Sequence, residues 1–205
     1  MLRVRIAAPA ALVVLALAGA RGAGAQMVHP AGMSHEDVIA AASRGGPDFI
    51  SRNAAIAWID SAGALHPIRE GTNGFTCVIV RPDPFAGAIC GDENAAAWLL
   101  AMLRGAAQPP AMSGPGIAYM AEGGTHFEDA QGNVLMEHEL TPHAAGSHRV
   151  REQAHWMLIW PFDPAKSGLP TKENATGTYI MFAGTPWAHV MIYQNPSQMR
   201  MPAGH

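Results

Sequence analysis

The sequence predicts an α+β fold, with a largely antiparallel sheet of about six or seven strands and two helices. Helix-like and strand-like segments are segregated along the chain instead of alternating, and only two segments begin with a clear helix start signal. Most strand-like segments are joined by short turns. Because parallel neighbours need long crossover connections, these turns favour antiparallel pairing.

Both predicted helices begin at a residue that can cap the first turn. Ser34 can accept a hydrogen bond from the backbone, and Asp37 follows three residues later, before an apolar stretch. Asp92 caps the second helix, which continues through an alanine-rich and leucine-rich segment and ends before Gly105. The sequence therefore predicts one helix near the N-terminus and one near the middle of the chain.

The predicted strands are short apolar runs bounded by turn residues. In chain order they cover 54–59, 64–69, 75–80, 117–121, 155–160, 178–183 and 189–193, and the alternating segment 134–141 can form a further strand. Residues 72–74 predict a tight hairpin turn. The last three strands are apolar on both faces, as is typical of central strands, and if they form a meander the second strand lies in the middle.

Residues 1–25 have the pattern of a secretory signal peptide. Arg3 and Arg5 precede an apolar run, and the segment ends in Ala23, Gly24 and Ala25. The apolar run is shorter than the roughly 20 residues that a helix needs to cross a bilayer. We therefore expect a secreted or periplasmic protein that has no membrane span after cleavage of the signal peptide.

The remaining chain is predicted to contain a flexible lead-in at 26–33, a single globular α+β domain at 34–195 and a flexible C-terminal tail at 196–205. Hydrophobic residues make up 49% and charged residues 14% of the sequence, a balance that predicts a packed core and not disorder. The formal net charge is -3 and there is no basic run, which disfavours nucleic acid as a partner.

The chain has two cysteines, Cys77 and Cys90, and export would place both in an oxidising compartment where a disulfide persists. The alternative is a pair of free thiols, acting as a nucleophile or as metal ligands. Twelve residues separate the two cysteines, a spacing that by itself matches no zinc framework. We therefore predict a disulfide between Cys77 and Cys90.

The common catalytic signatures are absent from the sequence, which leaves the histidines as the residues to consider. In a meander, His155 and His189 would begin the first and third strands at the same end of the sheet, about 10 Å apart. That separation is too wide for one shared metal ion but suits two walls of a small cleft, which Trp187, Glu122 or His126 could complete. The alternative is that both imidazoles bond the backbone at strand ends.

Other histidines and the methionines favour structural roles. His143 and His148 lie in a predicted loop, and His138 on an apolar strand face is expected to be a hydrogen-bonded core residue. Met199 and Met201, close to the C-terminal histidine, resemble the soft ligands of copper-handling proteins. Dispersed methionines are more commonly core residues, so we predict no cofactor and no metal ligands.

Four strings resemble those of a family of uncharacterised secreted bacterial proteins with no assigned activity. They are 72–77 (TNGFTC), 116–120 (GIAYM) with Gly123 and Gly124, 155–158 (HWML) and 181–189 (MFAGTPWAH). The resemblance spans residues 54–193. It implies export and a shared fold, and it supplies no catalytic residues.

Taken together, these features favour an exported domain that binds a small ligand or an envelope partner in a cleft near His155 and His189. One alternative is a secreted hydrolase that uses either histidine as general base. A second alternative is a periplasmic copper-binding or zinc-binding protein.

Overall fold

The computed structural model describes residues 30–80, 87–137 and 142–200. The helices in these ranges are α1 (His35–Ser43), α2 (Asp48–Ser51), α3 (Glu93–Leu103) and α4 (Pro164–Ser167), followed by a 3-10 turn at Pro196–Gln198. The strands are β1 (Ala55–Ile59), β2 (Leu65–Arg69), β3 (Phe75–Val80), β4 (Ile89–Asp92), β5 (Gly116–Met120), β6 (Thr125–Glu128), β7 (Val134–Leu135), β8 (His148–Arg151), β9 (His155–Ile159), β10 (Thr178–Met181) and β11 (His189–Ile192).

The predicted α+β class is confirmed, but the described part of the chain has more elements than predicted. It contains four α-helices, a mixed sheet of eight strands in the order β10-β11-β9-β5-β4-β3-β1-β2, and a second sheet in the order β7-β6-β8. The extra strands β4, β6 and β8 have only four residues each, too few for a clear alternating pattern. The histidine at 148, predicted to lie in a loop, begins β8.

The prediction of a hairpin turn at residues 72–74 is wrong. β3 does not pair with β2 but runs parallel to β1 on its other side, which makes the large sheet mixed. The connecting segment crosses the start of β1, where an added side-chain carbon on Gly71 would come within 2.1 Å of the Ala55 nitrogen. The Asn73 side-chain amide also donates to the carbonyl of Ile50, which holds the crossing segment in place.

The last three strands also do not form a meander. β11 lies between β9 and β10 and is antiparallel to both. The connection that contains α4 leads the chain out to the edge of the sheet, where β10 forms, and β11 then returns between the two earlier strands. Consequently, β9 and β11 are direct neighbours that begin at opposite ends of the sheet.

The second sheet continues the β5–β9 ladder. β5 pairs with β9 and β6 pairs with β8, and the two ladders are separated by a break at residues 121–124 and 152–154. Across the break, the backbone of Glu152 donates to the carbonyl of Gly124. β7 is shorter than the predicted strand at 134–141, and His138 lies outside the described residues.

Two helices cover opposite faces of the large sheet, and we call these the α1 face and the α3 face. On the α1 face, Val38 and Ala42 pack against Ile56 and Trp58. On the α3 face, Trp98 packs against residues of the central strands. The Asp92 carboxylate caps α3 by accepting from Ala95 and also accepts from the Ile117 backbone, which fixes the helix to β5.

The predicted disulfide is confirmed. Cys77 and Cys90 lie directly opposite each other on β3 and β4, with their Cα atoms 3.9 Å apart, and both are buried on the α1 face. Such a bond is suggestive of an oxidising, extracellular compartment. Within residues 30–80, 87–137 and 142–200, no helix has the length and apolar character required to span a bilayer.

Candidate functional site

A cavity of about 130 Å³ lies on the α3 face. Its lining is predominantly apolar, and the described residues that contribute to it include Trp98, Phe182 and the five methionines Met102, Met120, Met157, Met181 and Met191. Polar side chains at the wall are fewer. They are Thr125, His126, Glu137, Glu152, His155 and His189.

His155, the first residue of β9, lines the cavity and has a buried ring nitrogen without a hydrogen-bond partner in the described part of the chain. Its Nδ1 lies 2.7 Å from the carbonyl oxygen of Gln153, and because a carbonyl can only accept, Nδ1 is the donor. The side chain is 0% exposed, and Nε2 is buried without a hydrogen-bond partner among the described residues. Nε2 is 3.6 Å from Glu152 Oε2, too far for a hydrogen bond.

Next to His155, the ionisable side chains of Glu152, His126 and Glu128 are linked by hydrogen bonds. His126 lies between two carboxylates, with Nδ1 2.8 Å from Glu152 Oε1 and Nε2 2.9 Å from Glu128 Oε1. Since both carboxylates accept, both ring nitrogens donate and His126 is an imidazolium. His148, which is exposed, lies 4.0 Å from the other Glu128 oxygen.

The pKa values of His126 and Glu152 follow from the hydrogen bonds that link them. Burial alone lowers the pKa of His126, but hydrogen bonds to Glu152 and Glu128 and their negative charge outweigh burial and raise this pKa above its usual range. Burial alone raises the pKa of Glu152, but the hydrogen bond from His126 and the positive charge of that ring lower it overall. The two groups therefore stabilise each other in their charged forms.

Two glycines allow the Glu152 segment to pack closely at the break between the sheets. Gly123 has a positive φ of 73°, and a side-chain carbon added there would come within 2.2 Å of the Glu152 carbonyl oxygen. A side-chain carbon added at Gly124 would meet the end of Met120 at 2.6 Å and Glu152 Oε2 at 3.5 Å. Small residues at these positions let the chain bury a carboxylate beside the cavity.

His189, the first residue of β11, repeats the local geometry of His155. Its Nδ1 donates to the Trp187 carbonyl at 3.0 Å, two residues earlier, as His155 does to Gln153. The ring is 2% exposed, and burial lowers its pKa to about 4, outweighing the opposing effects of the Trp187 carbonyl and Glu152. His189 is therefore neutral at pH 7, with Nε2 as an acceptor.

Phe182 supplies part of the wall next to His189 and has an unusual backbone. Its φ of 53° is the one positive value at a non-glycine position among the described residues. The Phe182 ring lies 5.6 Å from the His189 ring, in an edge-on arrangement. An aromatic residue in this conformation costs of order 1–3 kcal/mol, and such strain is concentrated at functional sites.

Three of the predicted cleft residues line the cavity and two do not. His126, His155 and His189 line it, although the two strand-initial histidines reach it from opposite ends of neighbouring strands, with the Met157–Met191 pair between them. Trp187 is not among the lining residues and packs against Trp98, one of the α3 residues at the wall. Glu122 lies at the surface, where it pairs with Arg44 at 2.8 Å.

Sequence reasoning missed Glu152 and Glu137. A signal for Glu152 exists, because it is the only acidic residue in the short stretch between β8 and β9 and precedes His155 by three positions. Nothing local distinguishes Glu137, since its place at the cavity depends on the path of the chain after β7.

No metal centre is found in the described ranges. Among their histidine, cysteine, aspartate and glutamate side chains, no three come together in a way that could hold a metal ion. The possible copper ligands Met201 and His205 lie outside the described residues, so that alternative stays a prediction.

Comparisons with protein-family models, with curated proteins and with solved structures found no match. The functional argument therefore depends on the geometry of the cavity.

Proposed function

We propose that this protein is exported and binds a small organic molecule, with an apolar body and a hydrogen-bond donor, in the cavity on the α3 face. The observation that carries this proposal is the Nε2 atom of His155, which is buried beside an apolar cavity without a hydrogen-bond partner in the described part of the chain. In the neutral ring Nε2 is an acceptor, because Nδ1 carries the proton. A buried polar atom without a partner costs about 1–3 kcal/mol, and a ligand that donates to it removes this cost.

The size of the cavity limits the ligand. At about 130 Å³ it is close to the apolar cavity of about 150 Å³ that binds benzene in an engineered protein. A ligand of about seven to nine non-hydrogen atoms fits this space, and Kd values of about 0.1–1 mM are expected for such small molecules.

The lining favours a ligand whose main part is apolar and polarizable. Methionine thioethers are flexible and polarizable, so they adapt to ligands of slightly different shape. Trp98 and Phe182 provide ring surfaces. The strained backbone of Phe182 supports a functional role for this wall, since strain persists only where the surrounding structure holds it in place.

The test compares toluene with benzyl alcohol, which extends the same body by a hydroxyl, in the wild type and in the His155→Asn variant. Asparagine keeps a donor for the Gln153 carbonyl but has no atom in the place of Nε2. We expect the wild type to bind benzyl alcohol about fivefold more tightly than toluene, as one hydrogen bond of about 1 kcal/mol predicts. In His155→Asn the two affinities should become equal.

The control for this test is His148→Asn, which alters an exposed histidine outside the cavity. This variant should retain both affinities. Failure of the wild type to bind either molecule in calorimetry or ligand-observed NMR at millimolar concentration would contradict the proposal.

A second candidate function is a hydrolase with His155 as general base, and the fixed Nδ1 proton of this residue favours it because Nε2 is left free to accept a proton. Thr125 is the one hydroxyl side chain among the described cavity residues. The attacking group would be either this hydroxyl or a water molecule. Ester hydrolysis that is lost in His155→Asn and kept in His148→Asn, while both variants retain the fold, would support this function.

A further inference from the structure

The cavity contains a second acceptor that lacks a partner. Glu137 follows β7, and its Oε1 accepts a hydrogen bond from the Ala144 backbone at 3.0 Å. Its Oε2 is buried and has no hydrogen-bond partner within the described ranges. Glu137 and the fully buried His155 both line the cavity, and each has a buried polar atom without a hydrogen-bond partner in the described ranges.

The polar end of the cavity also carries more negative than positive charge. Glu137 and Glu152 line it, and Glu128 lies directly behind. His126 is the imidazolium in this group, and it is shared between Glu152 and Glu128. No lysine or arginine occurs among the described residues of the lining, and the His189 imidazole is neutral.

Among the described residues, no salt bridge to Glu137 is formed, and a partly buried carboxylate without a counter-ion is costly because the protein interior solvates charge poorly. A cation that also donates hydrogen bonds would relieve this cost at Glu137 and satisfy both acceptors. The remaining walls are compatible with such a ligand, since aromatic rings such as those of Trp98 and Phe182 attract organic ammonium groups. A carboxylic acid would instead be repelled by the two glutamates.

We infer that the ligand is a small organic amine, bound as its ammonium cation with the charged group at Glu137 and His155. This inference rests on the proposed function, because it concerns the same cavity and specifies the donor group of the ligand.

The experiment uses four molecules of similar shape at pH 7: benzylamine, benzyl alcohol, toluene and benzoate. By calorimetry on the wild-type protein, we expect benzylamine to bind at least tenfold more tightly than benzyl alcohol, and benzoate not to bind. Equal or tighter binding of benzyl alcohol or benzoate, relative to benzylamine, overturns the inference. This comparison needs no variant, so it does not depend on the folding of a mutant.

A variant that removes the Glu137 charge then tests whether this carboxylate recognises the ammonium group of benzylamine. Glu137→Gln keeps the shape of the side chain and removes its charge, so it should weaken benzylamine binding by five- to twentyfold and change benzyl alcohol binding by less than twofold. The matched control is Glu122→Gln, at the surface pair with Arg44, which should change neither. An equal loss for both ligands in Glu137→Gln would mean that this residue acts by packing, and the inference would fail.

The two proposals can fail separately. If benzyl alcohol binds through His155 but the amine shows no preference, the proposed function stands and this inference is wrong. If neither an amine nor an alcohol binds the wild-type protein, both are wrong.

Discussion

The two faces of the eight-stranded sheet are packed in different ways. On the α1 face, the buried core consists of aliphatic residues, Trp58 and the disulfide, with no ionisable side chain among its members. On the α3 face, methionines surround a cavity, and histidines and carboxylates are buried at its edge. The comparison indicates that both faces bury a hydrophobic core, and that the core of the α3 face leaves a cavity.

The largest expected effect is loss of the disulfide on the α1 face. Replacing both Cys77 and Cys90 by alanine frees the loop between them in the unfolded state, which should lower the free energy of unfolding by about 3 kcal/mol. Urea denaturation under oxidising conditions measures this loss. Because the bond faces away from the cavity, the folded variant should bind benzyl alcohol as the wild type does, and a changed affinity would show that the two faces are coupled.

Acid should destabilise the α3 face through His189. Its pKa of about 4 lies below the usual value near 6.5, so the unfolded chain takes up this proton first as the pH falls. The contribution is absent above about pH 7, and it lowers the free energy of unfolding by about 2 kcal/mol at pH 5. The measurement is the difference between wild type and His189→Asn, from urea denaturation at pH 7.5 and pH 5.

The His189→Asn comparison isolates one group because the other titrating neighbours, His126, His155 and Glu152, are present in both proteins. Asparagine retains a donor for the Trp187 carbonyl. An equal loss of stability in wild type and variant would contradict the assignment of the acid effect to His189.

Enlarged side chains should have opposite effects on the two faces. Ala42→Leu adds volume to a closely packed core and should cost about 1–3 kcal/mol. Met157→Phe, between the two histidines of the cavity, fills empty space, so it should leave stability unchanged or raise it by up to about 1 kcal/mol while it abolishes toluene binding. If both variants lose stability to the same extent, as judged by thermal unfolding, the difference in packing is absent.

Local signals predicted the local elements well. The caps at Ser34 and Asp92 depend on bonds within one turn, and both helices begin where these residues predict. The disulfide was predictable because the chain offers only one pairing of cysteines. These features need no knowledge of distant residues.

The order of the strands could not be read from the turns between them. The chain does bend at residues 72–74, as the sequence predicts. However, the hydrogen bond from the Asn73 side chain to Ile50 of α2 holds this segment across β1. The position of β11 between β9 and β10 likewise depends on long-range pairing. The candidate site was therefore identified through its histidines, while the geometry that joins them, and the role of Glu152, required the folded chain.

The separation of the two sheets affects how the proposed ligand preference can change during evolution. His126 and Glu128 both lie on β6, which pairs with β8 in the three-stranded sheet and lies outside the eight-stranded sheet. Under the proposed function, substitutions in the three-stranded sheet can alter which chemical group the cavity accepts without disturbing the eight-stranded sheet. Homologues with the same scaffold and divergent specificity should differ first in these two strands.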